Sequence, residues 1–298
     1  MTFAVFPCPP RHKVLSRAEA GLLLAVAALL ALALFGPVLP ASEHQHAFAD
    51  QRALWGVPCA LDVWSNLPFA IAGLWGLVVL RRLDLGGLDA TSRALASLFF
   101  VGLLCTAAGS ALYHWQPNNG GLMWDRLGMV LPFAGLLGLS AASRVSDRAG
   151  AAAAAAVLLA GSLAVVWWSH SGNLLPWAVV QLGGMLVVLA LACLPRRQEA
   201  LALHLGAVIA WYALAKLFEA ADHPVFEATA QWVSGHTLKH VLAAGAAWPV
   251  LSALAALRHS VAQGAPHVTP SGQNGAHTVG GARRSRAGCV GAAKTNSN

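Results

Sequence analysis

The sequence predicts an all-helical integral membrane protein, and three observations predict it. Hydrophobic residues make up 57% and charged residues 10% of the chain, against roughly 45–50% and about 25% in soluble domains. Apolar runs able to cross a bilayer core about 30 Å thick recur along most of its length. The basic residues flank those runs instead of forming a stripe. A water-soluble fold of 298 residues cannot hide so much apolar surface behind so few charges. That excludes a soluble enzyme, a disordered chain and a nucleic-acid binder, and makes the bilayer the first expected partner.

Eight candidate spans follow in order: 20–39, 63–80, 94–114, 122–142, 150–168, 175–194, 201–219 and 236–257. The first follows Arg11, Lys13 and Arg17, as in a secretory leader. Its apolar stretch is longer than a leader's core of about 7–15 residues, so it reads as a retained anchor, with cleavage as the alternative. Alternation of eight helices puts Arg81, Arg82, Arg93, Arg144, Arg148, Arg196, Arg197, Arg258 and the tail residues Arg283, Arg284, Arg286 and Lys294 on one side. The opposite loops (40–62, 115–121, 169–174 and 220–235) hold one basic residue, Arg52. By the positive-inside rule both termini are expected in the cytoplasm. The expected organisation is a cytoplasmic segment 1–19, an added helix 20–39, a seven-helix unit 46–257 and a disordered cytoplasmic tail 259–298. The five cysteines are scattered and odd in number, which speaks against a disulfide framework.

In a chain this apolar, polar groups at membrane depth are candidates for function. Three segments carry them, each at the outward end of its helix. Gly109-Ser110-Ala111-Leu112-Tyr113-His114-Trp115 closes the third helix and sets Ser110 and His114 one turn apart on one face. A plainer reading makes His114 an interfacial residue and Ser110 a small packing residue beside Gly109. Trp124-Asp125-Arg126 lies one turn into the fourth helix, where Asp125 could serve the helix dipole or pair with Arg126. His236-Thr237-Leu238-Lys239-His240 opens the eighth helix, and two histidines four apart form a bidentate clamp. Taken together, the three segments can meet at one depth. Three imidazoles leaving one position open are the donor set of a catalytic zinc site. Asp125 can accept a proton from water, and Ser110 can donate to the oxyanion formed by attack on a carbonyl. No Cys or Met joins the cluster, which disfavours soft or redox metals.

GSALYHW, then GLMWDRLGM, then HTLKH resembles the alkaline ceramidase family of the CREST membrane-hydrolase superfamily. The shared pattern is Ser110-x-x-x-His114, Asp125 eleven residues on, and His236-x-x-x-His240 in the last helix. The resemblance covers about 46–257 and implies a seven-transmembrane-helix CREST-like bundle to which the first helix is an addition. It implies His114, His236 and His240 as zinc ligands, Asp125 as proton acceptor and Ser110 as oxyanion donor. FADQR at 48–52, DVWSNLPF at 62–69 and Lys216-x-x-Glu219-x-x-Asp222 are also similar to bacterial members. Ser65, Asn66 and Pro68 read equally as a capped and kinked helix start. Glu219 and Asp222 read either as partners orienting a ligating histidine or as a solvated helix end. Related animal enzymes carry an acidic calcium site before their first core helix. Only Glu43, Asp50 and Asp62 stand there in this chain, without a tight cluster, so calcium is not expected.

The expected activity is zinc-dependent hydrolysis of the N-acyl amide bond of ceramide-like lipids, near the periplasmic face of a bacterial inner membrane. The few lysines beside abundant Arg, Ala, Gly and Leu suggest that host. Two other readings share parts of the pattern. One is a receptor or sensor of the progestin and adiponectin receptor type. The other is a proton-coupled carrier, for which Gln181, His204 and Lys216 would have to continue the polar path.

Overall fold

The computed structural model describes residues 15–42, 44–83 and 87–264. Arg11, Lys13, Glu43 and the tail beyond 264 lie outside the described residues. Helix α1 (Arg17–Phe35) opens on a capping box, in which Ser16 accepts from the Glu19 amide and Glu19 accepts from the Ser16 amide. A short α2 (Ala60–Trp64) leads into α3 (Leu67–Arg81), and then come α4 (Ala90–Trp115), α5 (Asn119–Arg144) and α6 (Asp147–Ser171). Asp89, Asn118 and Ser146 cap these three, each accepting a backbone N–H of the first turn at 2.8, 2.8 and 3.1 Å. Next, α7 (Leu175–Ala178) runs through one π-helical turn, Val179–Gly183, into α8 (Gly184–Ala192). Helices α9 (Leu205–Ala220), α10 (Asp222–Ala228), α11 (Gly235–Gly245) and α12 (Trp248–Gly264) complete the order. Two isolated β-bridges occur, and no strand forms among the described residues.

Seven helices among the described residues are long and apolar enough to cross a membrane: Arg17–Phe35, Ala60–Arg81, Ala90–Trp115, Asn119–Arg144, Asp147–Ser171, Leu175–Ala192 and Gly235–Arg258. The stretch expected to span at 201–219 forms α9, whose 16 residues measure about 24 Å at 1.5 Å each. The last helix continues to Gly264, past residue 259 where the tail is expected to begin.

The core is built from α3, α4, α5, α6, α8, α9, α11 and α12, with Phe99, Phe100, Leu139, Val188, Val208 and Leu254 among its most buried side chains. Helix α1 stands outside it, with only 6% of its apolar window buried. It is held at one end where Glu19 accepts from Ser146 Oγ at 2.6 Å and pairs with Arg148 at 2.5 Å. The pairing that matters for the site is α4 against α5. A Cβ on Gly109 would lie 2.9 Å from the Trp124 carbonyl oxygen, and one on Gly128 would lie 2.9 Å from that of Cys105. Small residues at both positions let the backbones approach closely. That approach brings the end of α4, with Ser110 and His114, against the start of α5, with Asp125.

Candidate metal centre

The three predicted histidines converge. One ligand atom from each of His114, His236 and His240 lies within 4.8 Å of the others. Their ring centroids form a near-equilateral triangle with sides of 4.8, 5.0 and 4.9 Å. His114 Nε2 and His236 Nε2 are 3.3 Å apart. Tetrahedral Zn–N bonds of about 2.0–2.1 Å would set two ligand nitrogens roughly 3.4 Å apart, so this edge already has the separation such a site needs. His114 is 0% and His240 3% exposed, and three clustered imidazoles at that burial fit a bound cation.

Hydrogen bonds indicate which nitrogen carries the free lone pair at two of the three rings. Ser65 Oγ donates to the Asp62 carbonyl oxygen at 3.0 Å, and that oxygen can only accept. The single hydroxyl proton is thereby used, so the 2.8 Å contact with His240 is Nδ1–H donating to Ser65 Oγ. Nε2 of His240 then carries its lone pair into the triangle, the arrangement in which a ligating histidine donates its other N–H to a fixed acceptor. Ser65 is therefore more than part of a helix start. Lys239 Nζ donates to His236 Nε2 at 3.2 Å, so that nitrogen carries a lone pair, and the same nitrogen lies 3.3 Å from His114 Nε2. Lys239 also pairs with Glu219, whose Oε1 is 3.0 Å from Nζ, so it would keep a partner if a cation took up the His236 lone pair. The third ring is oriented by packing. Phe48 and Tyr113 lie 4.6 and 4.9 Å from the His114 ring, while its Nδ1 is buried without a hydrogen-bond partner.

Ser110 and Asp125 join the same cluster. Ser110 Oγ is 3.4 Å from His240 Nε2 and lies beside the Asp125 carboxyl group. Packing against α5 is left to Gly109. Asp125 is 7% exposed and forms no ion pair with Arg126, whose guanidinium lies 3.8 Å over the Trp168 ring. Both residues border a cavity of about 1040 Å³ that also reaches His236, Lys239, Lys216 and Glu219.

Glu219 and Asp222 touch no imidazole. Glu219 pairs with Lys216 at 2.5 Å as well as with Lys239. Asp222 accepts the backbone N–H groups of His236 at 2.7 Å and Ala49 at 3.0 Å, so it positions one of the three clustered histidines through the main chain. Gln181 and Lys216 border the cavity, whereas His204 caps the far end of α9.

Two parts of the site had no functional role in the sequence reading. The first is the loop before α2. Phe48 packs edge-on against His114 and His236, and Asp50 takes two bonds from Arg52, at 2.8 and 2.7 Å. Hydrogen bonding to that carboxylate pushes the Arg52 pKa further up, so the guanidinium stays charged. Arg52 also donates to the Trp232 carbonyl oxygen at 3.2 Å and ties the loop to the entrance of α11. The second is Asp62, fully buried, which accepts from Thr237 Oγ1 at 2.6 Å and from Ser234 Oγ at 3.4 Å. Ser234 caps α11, so Asp62 anchors the turn that carries His236 and His240. Their signal in the sequence was the similarity of FADQR and DVWSNLPF to bacterial members of the resembled family, which assigned Phe48, Asp50 and Asp62 no role.

Replacing Ser65 with alanine is expected to weaken zinc binding about 10–100-fold, the usual effect of losing an outer partner of a ligand. A competition titration against a coloured chelator reads this directly. Ser65→Thr, which keeps the hydroxyl, is expected to restore most of the affinity. A Ser65→Ala protein that binds zinc like the parent rules out the tautomer assignment.

No known family model and no curated protein matches the chain.

Proposed function

We propose that the protein is a zinc-dependent membrane amidohydrolase that cleaves the N-acyl amide bond of ceramide-like lipids. The observation that carries this reading is the close triangle of three imidazoles with Ser110 and Asp125 beside it. The resemblance to alkaline ceramidases supports the same assignment, because the residues it names are the ones that meet. When bound, zinc supplies a Lewis acid and lowers the pKa of its water to about 7.

The side chains of this chain divide the remaining work. Asp125 accepts the proton of the attacking water and returns it to the leaving amine nitrogen. Ser110 Oγ–H donates to the amide oxygen as that oxygen gains negative charge. Phe48 and Tyr113 cover the imidazoles and keep bulk water from them, which strengthens each of these interactions. Leu122, Met129, Trp177 and Leu182 on the cavity wall offer an apolar surface to an acyl chain.

Crossing by α9 would complete an eight-helix bundle, seven in a ceramidase-like unit plus α1. Leu201 and Leu203, buried just ahead of α9, support this. The four non-helical residues there add up to about 13 Å to the reach of the helix. Even-numbered crossing together with the one-sided Lys/Arg pattern would put both termini in the cytoplasm and the metal centre near the periplasmic face of a bacterial inner membrane. An amphiphile's headgroup amide lies at that depth.

The direct test is mass spectrometry of lipids after incubating purified protein with a panel of ceramides, with and without a zinc chelator. Free fatty acid and sphingoid base are expected only without the chelator. Ser110→Ala is expected to lower turnover on the order of 100-fold while zinc stays bound. A variant of near-parental turnover removes the oxyanion role from Ser110.

A further inference from the structure

The charged groups around the cavity are nearly all accounted for, and the exception has a consequence for substrate choice. Three cations (Arg126, Lys216, Lys239) and three carboxylates (Asp125, Glu219, Asp222) border it. Glu219 is shared by the two lysines, Asp222 is taken up by two backbone N–H groups, and Asp125 faces Ser110. Arg126 forms no ion pair with any of them. Its Nη1 is buried without a hydrogen-bond partner, and the guanidinium is fixed in orientation by stacking 3.8 Å over Trp168.

A guanidinium nitrogen buried at this depth without an acceptor is costly, because the N–H groups of Nη1 have lost water and gained no hydrogen bond in exchange. Stacking removes most of its freedom, so an acceptor approaching its edge meets donors already aligned. The group that satisfies such a fork best is a planar or tetrahedral anion able to accept two bonds at once. Arg126 follows Asp125 directly in the chain and borders the same cavity, so an anion held there belongs to the part of a lipid that carries the scissile amide. Gln181, turned toward the cavity from the π-helical turn of Val179–Gly183, adds a neutral amide to the same wall.

We infer that Arg126 is a headgroup anchor, and that the preferred substrate is an acyl amide bearing an anionic headgroup, a carboxylate or a phosphate, rather than a neutral ceramide. The inference rests on the proposed amidohydrolase site for its chemistry but concerns ligand binding, which can be measured without turnover.

The probes are N-palmitoylglycine and N-palmitoylethanolamine, which share chain and amide and differ in a carboxylate against a hydroxymethyl group. N-palmitoyl-O-phosphoethanolamine forms the phosphate arm. Affinities are measured on the full-length protein in detergent by quenching of tryptophan fluorescence, and hydrolysis is followed in parallel. The parent protein is expected to bind at least one anionic amide tenfold or more tightly than the ethanolamide, and the arm that wins identifies the anion. In Arg126→Gln that preference is expected to fall below twofold, and in Arg126→Lys to be partly kept, since the charge remains but the fork is lost. Equal affinity of the parent for all three probes overturns the inference without any variant, as does a preference that survives in a folded Arg126→Gln. A preference for anions with no hydrolysis of any probe upholds the anchor while sinking the amidohydrolase reading, so the two failures are distinct.

Discussion

Alanine at His240 is expected to leave the protein folded, unable to retain zinc through dialysis, and without measurable amide hydrolysis. The size of the effect follows from what the ring does. His240 supplies an inward lone pair fixed by Ser65, and no other described ligand-type side chain joins the triangle. Losing an outer partner weakens such sites about 10–100-fold; losing a ligand removes one of three bonds and must exceed that. Folding should survive, because α11 is held by its Ser234 cap, by Asp62 on Thr237 and by Asp222 on the His236 amide, none of which passes through the His240 ring. Elemental analysis of the purified variant, beside the parent at one zinc per chain, is the measurement. A His240→Ala protein that keeps a stoichiometric ion would show that the histidines are not its ligands, and the cluster would then be a buried hydrogen-bonded group with no catalytic claim.

Much of the fold was legible in the sequence, because long apolar runs bounded by Ser, Asp and Asn caps are local signals. The seven spanning helices fall on seven of the expected stretches for that reason. Helix α9 is the instructive case: its apolar run is long enough, but residues 201–204 stay non-helical, with the Leu203 N–H turned back onto the Leu201 carbonyl oxygen, which periodicity does not reveal. At the site, the same distinction decides. Ser110 with His114 and His236 with His240 each share a helix face one turn apart, so each pair was visible as a unit. Ser65 lies 175 residues from His240, and Phe48 is brought over the rings by a loop that Asp222 holds at Ala49. Contacts of that kind depend on packing between distant segments, and nothing in the spacing of Ser65 separates a cap from a partner of a ligand. Arg126 shows the converse. Adjacency to Asp125 suggested an ion pair, yet neighbours on a helix point about 100° apart, and the guanidinium goes to Trp168.

Asparagine at Asp125 is expected to keep zinc at one per chain and to lower amide turnover by about 10²–10⁴-fold, the range attributed to a positioned proton acceptor. Asn matches Asp in shape and can still meet Ser110, so the substitution takes away proton uptake with little change in packing. Asp125 is assigned this role over the other carboxylates nearby on geometric grounds. Asp62 is more deeply buried, but its Oδ1 is engaged by Thr237 and Ser234, and it does not border the cavity where a substrate must lie. Glu219 does border it, yet two ammonium groups already share its oxygens, which makes it a poor acceptor of a further proton. Asp125 stands on the cavity wall beside Ser110 and forms no ion pair, whereas Asp222, also on that wall, is taken up by the backbone N–H groups of His236 and Ala49. The decisive comparison sets Asp125→Asn against Asp62→Asn under identical loading with metal. Loss of turnover at full zinc occupancy is expected only for the first. If Asp125→Asn hydrolyses amide within fivefold of the parent, proton transfer runs through another group, and the residue beside Ser110 is there to orient it rather than to accept a proton.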